Sequence, residues 1–437
     1  MKIKRFFNSI GSFICTKEIF QDRELSTRLY KYFLVGILIR LLFIPFFFQR
    51  DILSTYQRAA ETVFAGNIGA DFQQLITHLI HSGYLFLIKP FLPAAGQLSS
   101  ILLNQDTWTS WIDFNSLDYV YRILTMFKLP YLLFDIASMF LLLRLLYDGE
   151  PLKKLKVFKY WVLNPLVIFV LYIFARHDII GIFVMLIALL LAKNNRKYWA
   201  IIVLSFGIAL RFFPIMILPF MIFYLAKKKK DYAILFSIGV AGLIAVELFS
   251  YLYFGRSVIF SLLNAQHFDY ILSAKIDLII HDRIYLFIVA YFLLFFAWLH
   301  AKQKNFMLFL NYCGMVYLLY VSISYFHPQY LLWSVPFLVF LFVRKDSLYY
   351  YHWAQMAFLM VILIYWGDLV TKFLIAPIDI RTAMYGTGLI PLIGRFYEPA
   401  KFVNIFRSVF TAISIWMVYL IYRDNKSITL QEQGKIK

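Results

Sequence analysis

The chain has 437 residues, 62% of them hydrophobic and 20% aromatic, with a mean hydropathy of +0.72. A soluble domain is nearer half apolar, so these figures exclude a water-soluble globule and indicate a polytopic membrane protein. The formal charge of +19 does not point to nucleic acid, because the basic residues cluster in short gaps between apolar runs, where they set topology.

Residues 1–28 carry Lys2, Lys4 and Arg5 with no small-residue cleavage site, which predicts an uncleaved cytoplasmic segment. Runs long enough to cross a bilayer follow at 30–48, 119–146, 160–175, 178–192, 231–253, 284–300, 306–323, 348–367 and 401–422. Shorter runs at 198–210, 214–226 and 330–343 complete the pattern. It predicts an all-α polytopic membrane protein of about twelve spans, with one transmembrane domain over 29–423 and a cytoplasmic tail over 424–437. Lysine and arginine clusters at 153–159, 193–197, 227–230, 302–304, 344–345 and 423–426 occupy alternate gaps and are placed inside. The other gaps, at 50–118, 176–178, 211, 254–283, 324–329 and 368–400, then face out.

The first outer segment, 50–118, is too long for a plain connector and is expected to contain interfacial helices. Within it Gln74, Thr77, His78 and His81 recur at helical spacing, with Leu75, Ile76, Leu79 and Ile80 on the other face. This reads as an amphipathic helix lying in the interface.

Every unusual polar string falls on the outer side. Asp51 follows the first apolar run directly, after Gln49 and Arg50, as an interfacial acid or as a carboxylate able to take a proton from a hydroxyl. Lys128 and Asp135 lie seven residues apart, two turns along one helical face and too far for a direct pair, so each needs another partner. Arg176, His177 and Asp178 interrupt an apolar stretch and suggest a re-entrant tip where an anion meets Arg176, steadied by Asp178. Arg211 stands between two half-length runs, an arrangement suited to an anionic headgroup or to a positional anchor. In "FHPQYLLWSVPF", His327 and Gln329 supply hydrogen bonds, while Tyr330 and Trp333 suit an interface belt or sugar stacking. His267 and His281 enrich the 254–283 loop as acceptor or headgroup contacts; no metal-ligand set is formed and no cofactor is implied.

Together Asp51, "KLPYLLFD", "NPLVIF…HD", "GIALRFFPIMILPF" and "HPQYLLWSVPF", over the first span to about residue 345, resemble the GT-C glycosyltransferases that use polyprenyl-phosphate-linked sugars, especially the bacterial mannosyltransferase-like branch. The resemblance implies a GT-C-like helical bundle and an extracytoplasmic site, in an inner (plasma) membrane or in the endoplasmic reticulum of a eukaryote. It also implies a sugar, mannose by default, passing from a polyprenyl-phosphate carrier to a glycan, lipid or protein acceptor. Asp51 would be the general base, with Arg50, His267, His281, Tyr330 and Trp333 near sugar or acceptor. Arg176, His177, Asp178, Arg211, Lys128, His327 and Gln329 would lie near the donor phosphate. Ile52 and Leu53 follow Asp51, so the paired acids of a metal-bound nucleotide-sugar site are missing. Two other functions share part of this pattern. A flippase or transporter of a lipid-linked sugar predicts pseudo-symmetric halves, which the chain lacks, and a glycan ligase or polymerase would use the same cations.

Overall fold

The computed structural model describes residues 22–145, 150–264, 266–279, 281–324 and 327–434. Most of the cytoplasmic segment expected over 1–28 therefore lies outside the described residues. Nearly everything described is helical; a two-stranded antiparallel hairpin, Lys275–Asp277 with Arg283–Tyr285, is the exception among the described residues.

Among the described residues, six helical stretches are long and apolar enough to cross a membrane: Val120–Leu145, Pro151–Ile173, Lys229–Phe254, Phe306–Ile323, Asp346–Val370 and Pro399–Asn425. Four shorter apolar helices, Lys197–Leu210, Phe213–Leu225, Leu286–Leu299 and Val335–Arg344, fill the runs where further spans were expected. At 1.5 Å per residue, fourteen residues cover only about 21 Å, short of a hydrocarbon core of about 30 Å. Large apolar side chains such as Leu252, Phe260 and Leu293 are exposed, as expected for helices that face lipid.

Local sequence explains the breaks that shape one end of the bundle. The Arg23–Phe43 helix starts at Asp22, whose side chain accepts the Glu24 and Leu25 amides, and it ends before Phe48. Gln49 then caps the next helix, Arg50–Ala65, by accepting the Asp51 amide at 2.6 Å. The run at 160–175 is interrupted at Asn164, which accepts the Leu166 and Val167 amides, with Pro165 restarting the helix and a π-helical turn, Phe169–Ile173, following. The run at 330–343 splits likewise into Pro328–Leu332 and Val335–Arg344, each opened by a proline in its first turn.

The helix expected to lie in the interface, Leu75–Ile88, is turned the other way. Its polar stripe of Thr77, His78 and His81 is buried in the protein, while Leu79, Phe86 and Leu87 are exposed. Periodicity identifies two faces but not which one meets protein. Here the hydrogen-bonding groups find partners inside: Thr77 donates to the Leu210 carbonyl at 2.6 Å and His81 lies 2.9 Å from the Tyr131 hydroxyl.

A closed polar cluster fastens these elements. Asp135, fully buried, accepts from Arg40 Nε at 2.6 Å, from the Tyr172 hydroxyl at 2.7 Å and from Trp161 Nε1 at 2.7 Å. Arg40 also donates to the carbonyls of Gly36 and Val162. Gly36 permits that approach, since a Cβ there would collide with Val162. Lys128 departs from its expected place at the donor phosphate. It has no exposure, and its ammonium donates to the carbonyls of Ile44 at 2.7 Å, Tyr172 at 2.9 Å and Phe47. Those carbonyls belong to the unwound end of the first helix and to the π-helical turn, so Lys128 holds backbone that could not satisfy itself.

Candidate active site

Two carboxylates stand at the first turns of their helices, Asp51 on Arg50–Ala65 and Asp178 on Asp178–Lys193. Peptide dipoles favour negative charge at both positions. The Asp178–Lys193 helix runs from Asp178 at one end to Lys193 at the other, and Lys197–Leu210 returns to Arg211. The acids and Arg211 thus occupy one end of these helices and the lysine-rich turns the opposite end.

Arg176 joins the two carboxylates. Its Nη1 donates to Asp51 Oδ2, and its Nε lies 3.8 Å from Asp178 Oδ2. Asp178 Oδ1 also accepts from Trp333 Nε1 at 2.9 Å and from Arg211 Nε at 3.3 Å, while Arg211 Nη1 donates to Gln74 Oε1. The side chain of Asp51 is 43% exposed and that of Asp178 is fully buried, so an open acid backs onto a sealed one through a single guanidinium. Ala175, just before Arg176, has φ of 61°, a left-handed conformation that costs a residue with a Cβ about 1 kcal/mol. The strain is stored where the chain turns Arg176 toward Asp51.

Burial governs the ionisation of the neighbours. It pulls the Arg176 guanidinium down to about 10, which leaves it a cation near neutral pH. His81 is lowered to about 4, chiefly by burial. His177 is also held well below its ordinary value by burial, with Arg211, His81 and Arg176 adding to the effect. Its ring stands edge-on to His81 at 5.3 Å. Near neutral pH Arg176 is therefore a cation beside two neutral imidazoles.

The structure gathers Asp51, Arg176, His177, Asp178, Arg211 and Trp333 into this cluster. His327 packs edge-on against Phe174 at 5.4 Å and Trp366 at 5.1 Å, at the margin of the same tip. Trp333 does not offer a face for sugar stacking. Its ring lies against Phe213 at 4.6 Å and Tyr320 at 5.7 Å, and its contribution is the indole N–H to Asp178. Tyr330 is buried against Tyr320 and Trp333. Arg50 is half-buried one residue from Asp51, and His281 is exposed in the hairpin turn; the side chain of His267 is outside the description. Gln74 and His81 were visible as part of a polar stripe, but only the inward turn of their helix brings them to Arg211 and His177.

No family model matches the chain, and neither a curated protein nor a solved structure is found to be similar to it.

Proposed function

We propose that the chain is an integral-membrane glycosyltransferase with a GT-C-like bundle. It takes a sugar, mannose by default, from a polyprenyl-phosphate carrier and passes it to a glycan, lipid or protein acceptor. On this reading the six long helices, the four shorter ones and the Arg23–Phe43 and Asp178–Lys193 helices make up about twelve membrane-embedded elements. The end that carries Asp51 faces away from the cytoplasm, since the lysine clusters lie at the other end. The membrane would be a cell inner membrane, or the endoplasmic reticulum in a eukaryote.

The reading rests on one observation, a half-open carboxylate held in place by a buried arginine. Asp51 is fixed by the Gln49 cap and by Arg176, yet remains accessible. In the proposed step Asp51 takes the proton from an acceptor hydroxyl as that oxygen bonds to the anomeric carbon. The bond from that carbon to the phosphate oxygen breaks, and its electron pair leaves with the polyprenyl phosphate. Attack from the side opposite the phosphate inverts the anomeric centre. A phosphate is a weakly basic leaving group and needs no general acid, so one base is sufficient. Arg176 and Arg211 are the cations of the cluster and would stabilise the departing charge.

The test is the purified full chain in detergent or nanodiscs, supplied with polyprenyl-phosphate sugars and assayed for released polyprenyl phosphate. Asp51→Asn should lower release by about a thousandfold, the scale of a lost general base, with the unfolding midpoint nearly unchanged because a half-exposed ion pair contributes little. Turnover by Asp51→Asn at the wild-type rate would remove Asp51 from the reaction.

A further inference from the structure

Four buried polar atoms around the tip have no hydrogen-bond partner among the described residues: Arg176 Nε, His177 Nε2, Asp178 Oδ2 and Gln329 Oε1. None of the four residues is more than 9% exposed. They share one locus. The first three are consecutive, and Gln329 lies one helical turn before Trp333, whose indole is bonded to Asp178. The same His-Pro-Gln turn packs on Phe174. Buried polar groups are paired in the great majority of cases, so four orphans around one carboxylate mark a place meant for a polar ligand.

The donor and acceptor character of these atoms selects the ligand. Asp178 Oδ2 and Gln329 Oε1 can only accept, Arg176 Nε can only donate, and a neutral imidazole nitrogen does either according to tautomer. The phosphodiester of a polyprenyl-phosphate sugar offers acceptors alone. It would leave both oxygens unsatisfied and set its charge beside Asp178. A hydroxyl both donates and accepts. Seated beside Arg176 Nε and Asp178 Oδ2, which are 3.8 Å apart, it could accept from the first and donate to the second.

We propose that this group of unpaired atoms binds the neutral hydroxyls of a sugar ring and does not bind phosphate. The inference deepens the transferase reading and rests on it for the identity of the polyol. It places sugar hydroxyls against Asp178 Oδ2, Arg176 Nε, His177 Nε2 and Gln329 Oε1 and leaves the carrier phosphate away from these four atoms.

Thermal unfolding of the purified full chain tests it, with methyl α-glycosides of mannose, glucose and galactose as probes and inorganic phosphate at equal ionic strength as the rival. We expect at least one glycoside to raise the midpoint saturably and phosphate to leave it unchanged. Gln329→Leu should weaken glycoside binding at least tenfold yet unfold no earlier than wild type, because it removes an orphaned acceptor. Asp178→Asn should weaken binding similarly. Protection by phosphate instead of glycosides, protection by neither, or full glycoside binding by Gln329→Leu would each overturn the assignment. Release of polyprenyl phosphate is scored separately. Glycoside protection without release supports the sugar contact and sinks the transferase reading, whereas release with protection by phosphate alone does the reverse.

Discussion

The protein grips a buried aspartate with an arginine and a tryptophan indole twice, and the two copies of this chemistry differ in what is left over. At Asp135 both carboxylate oxygens are used, by Arg40, Tyr172 and Trp161, and what is left over is a donor, Arg40 Nη2, with no hydrogen-bond partner among the described residues. At Asp178 one oxygen serves Arg211 and Trp333, while the other has no hydrogen bond among the described residues, and the nearby Arg176 reaches on to the half-open Asp51. In a low local dielectric a saturated carboxylate is held rigidly, and an unsaturated one is costly unless a ligand completes it. The first arrangement is therefore a fastening and the second a receptor, although their residue types are the same.

The hardest way to break that contrast is to remove the closed carboxylate. Asp135→Asn leaves the Arg40 charge buried without its counterion, and removing one partner of a buried pair costs about 3–5 kcal/mol. The expected outcome is a large fall in the unfolding midpoint, or loss of monodisperse protein on size exclusion. Activity should fall only in proportion to the folded fraction. An Asp135→Asn protein that folds normally yet does not turn over would instead put the closed cluster in the reaction.

The same contrast sharpens when an arginine of the open cluster keeps its charge but loses its fork. Arg176→Lys cannot serve Asp51 and the Asp178 side together, because an ammonium is a point donor and a guanidinium is a planar one. If Arg176 positions Asp51, turnover should fall about a hundredfold, near 3 kcal/mol in the barrier. The Michaelis constant should stay within a few-fold and the unfolding midpoint nearly unchanged. A structural role alone would move the midpoint and spare turnover per folded molecule.

Much of this division was legible in the sequence, but only up to the point where partners become non-local. Apolar runs and their charged ends marked the helices, and the polar triad 176–178 inside an apolar stretch marked the tip. The Gln49 cap on the Asp51 amide spans only two residues, yet it came from the structure and not from the sequence reading. Lys128 was misplaced because its partners are main-chain carbonyls 84, 81 and 44 residues away, exposed by helix breaks that hydropathy does not report. The inward turn of the 75–88 stripe was hidden for a related reason. In a bilayer the apolar face of an amphipathic helix can meet lipid, and here the polar face is the packed one. Trp333 looked like a stacking surface because a sequence shows an aromatic ring but not the rings on either side of it.

Histidine titration offers a gentler probe of the open side. His81 is lowered to about 4 from an ordinary 6.5, mainly by burial. Because the folded value is the lower one, the unfolded chain takes up the proton first as the pH falls. The contribution of His81 to stability is full above about 6.5, declines as the pH drops toward 4, and is constant below that. The slope approaches about 1.4 kcal/mol per pH unit within the window. Unfolding measured at pH 7, 6, 5 and 4.5 should show wild type losing more than His81→Gln by this amount. Parallel curves for the two proteins would mean that His81 is not held neutral in the fold.

The smallest effect is expected from a third ion pair, Lys345 with Asp424, at the lysine-rich end. The contact is close, 2.8 Å, but its side chains are 25% and 41% exposed, so water screens both charges. Asp424→Asn should cost less than about 1 kcal/mol in unfolding and leave turnover unchanged. The three pairs then form a series in which similar Coulombic partners act as a fastening, a receptor or a nearly neutral contact. Burial and unsatisfied valence decide which. A loss of several kcal/mol at Asp424 would mean that proximity alone ranks these pairs, and the distinction between the Asp135 and Asp178 clusters would lose its physical basis.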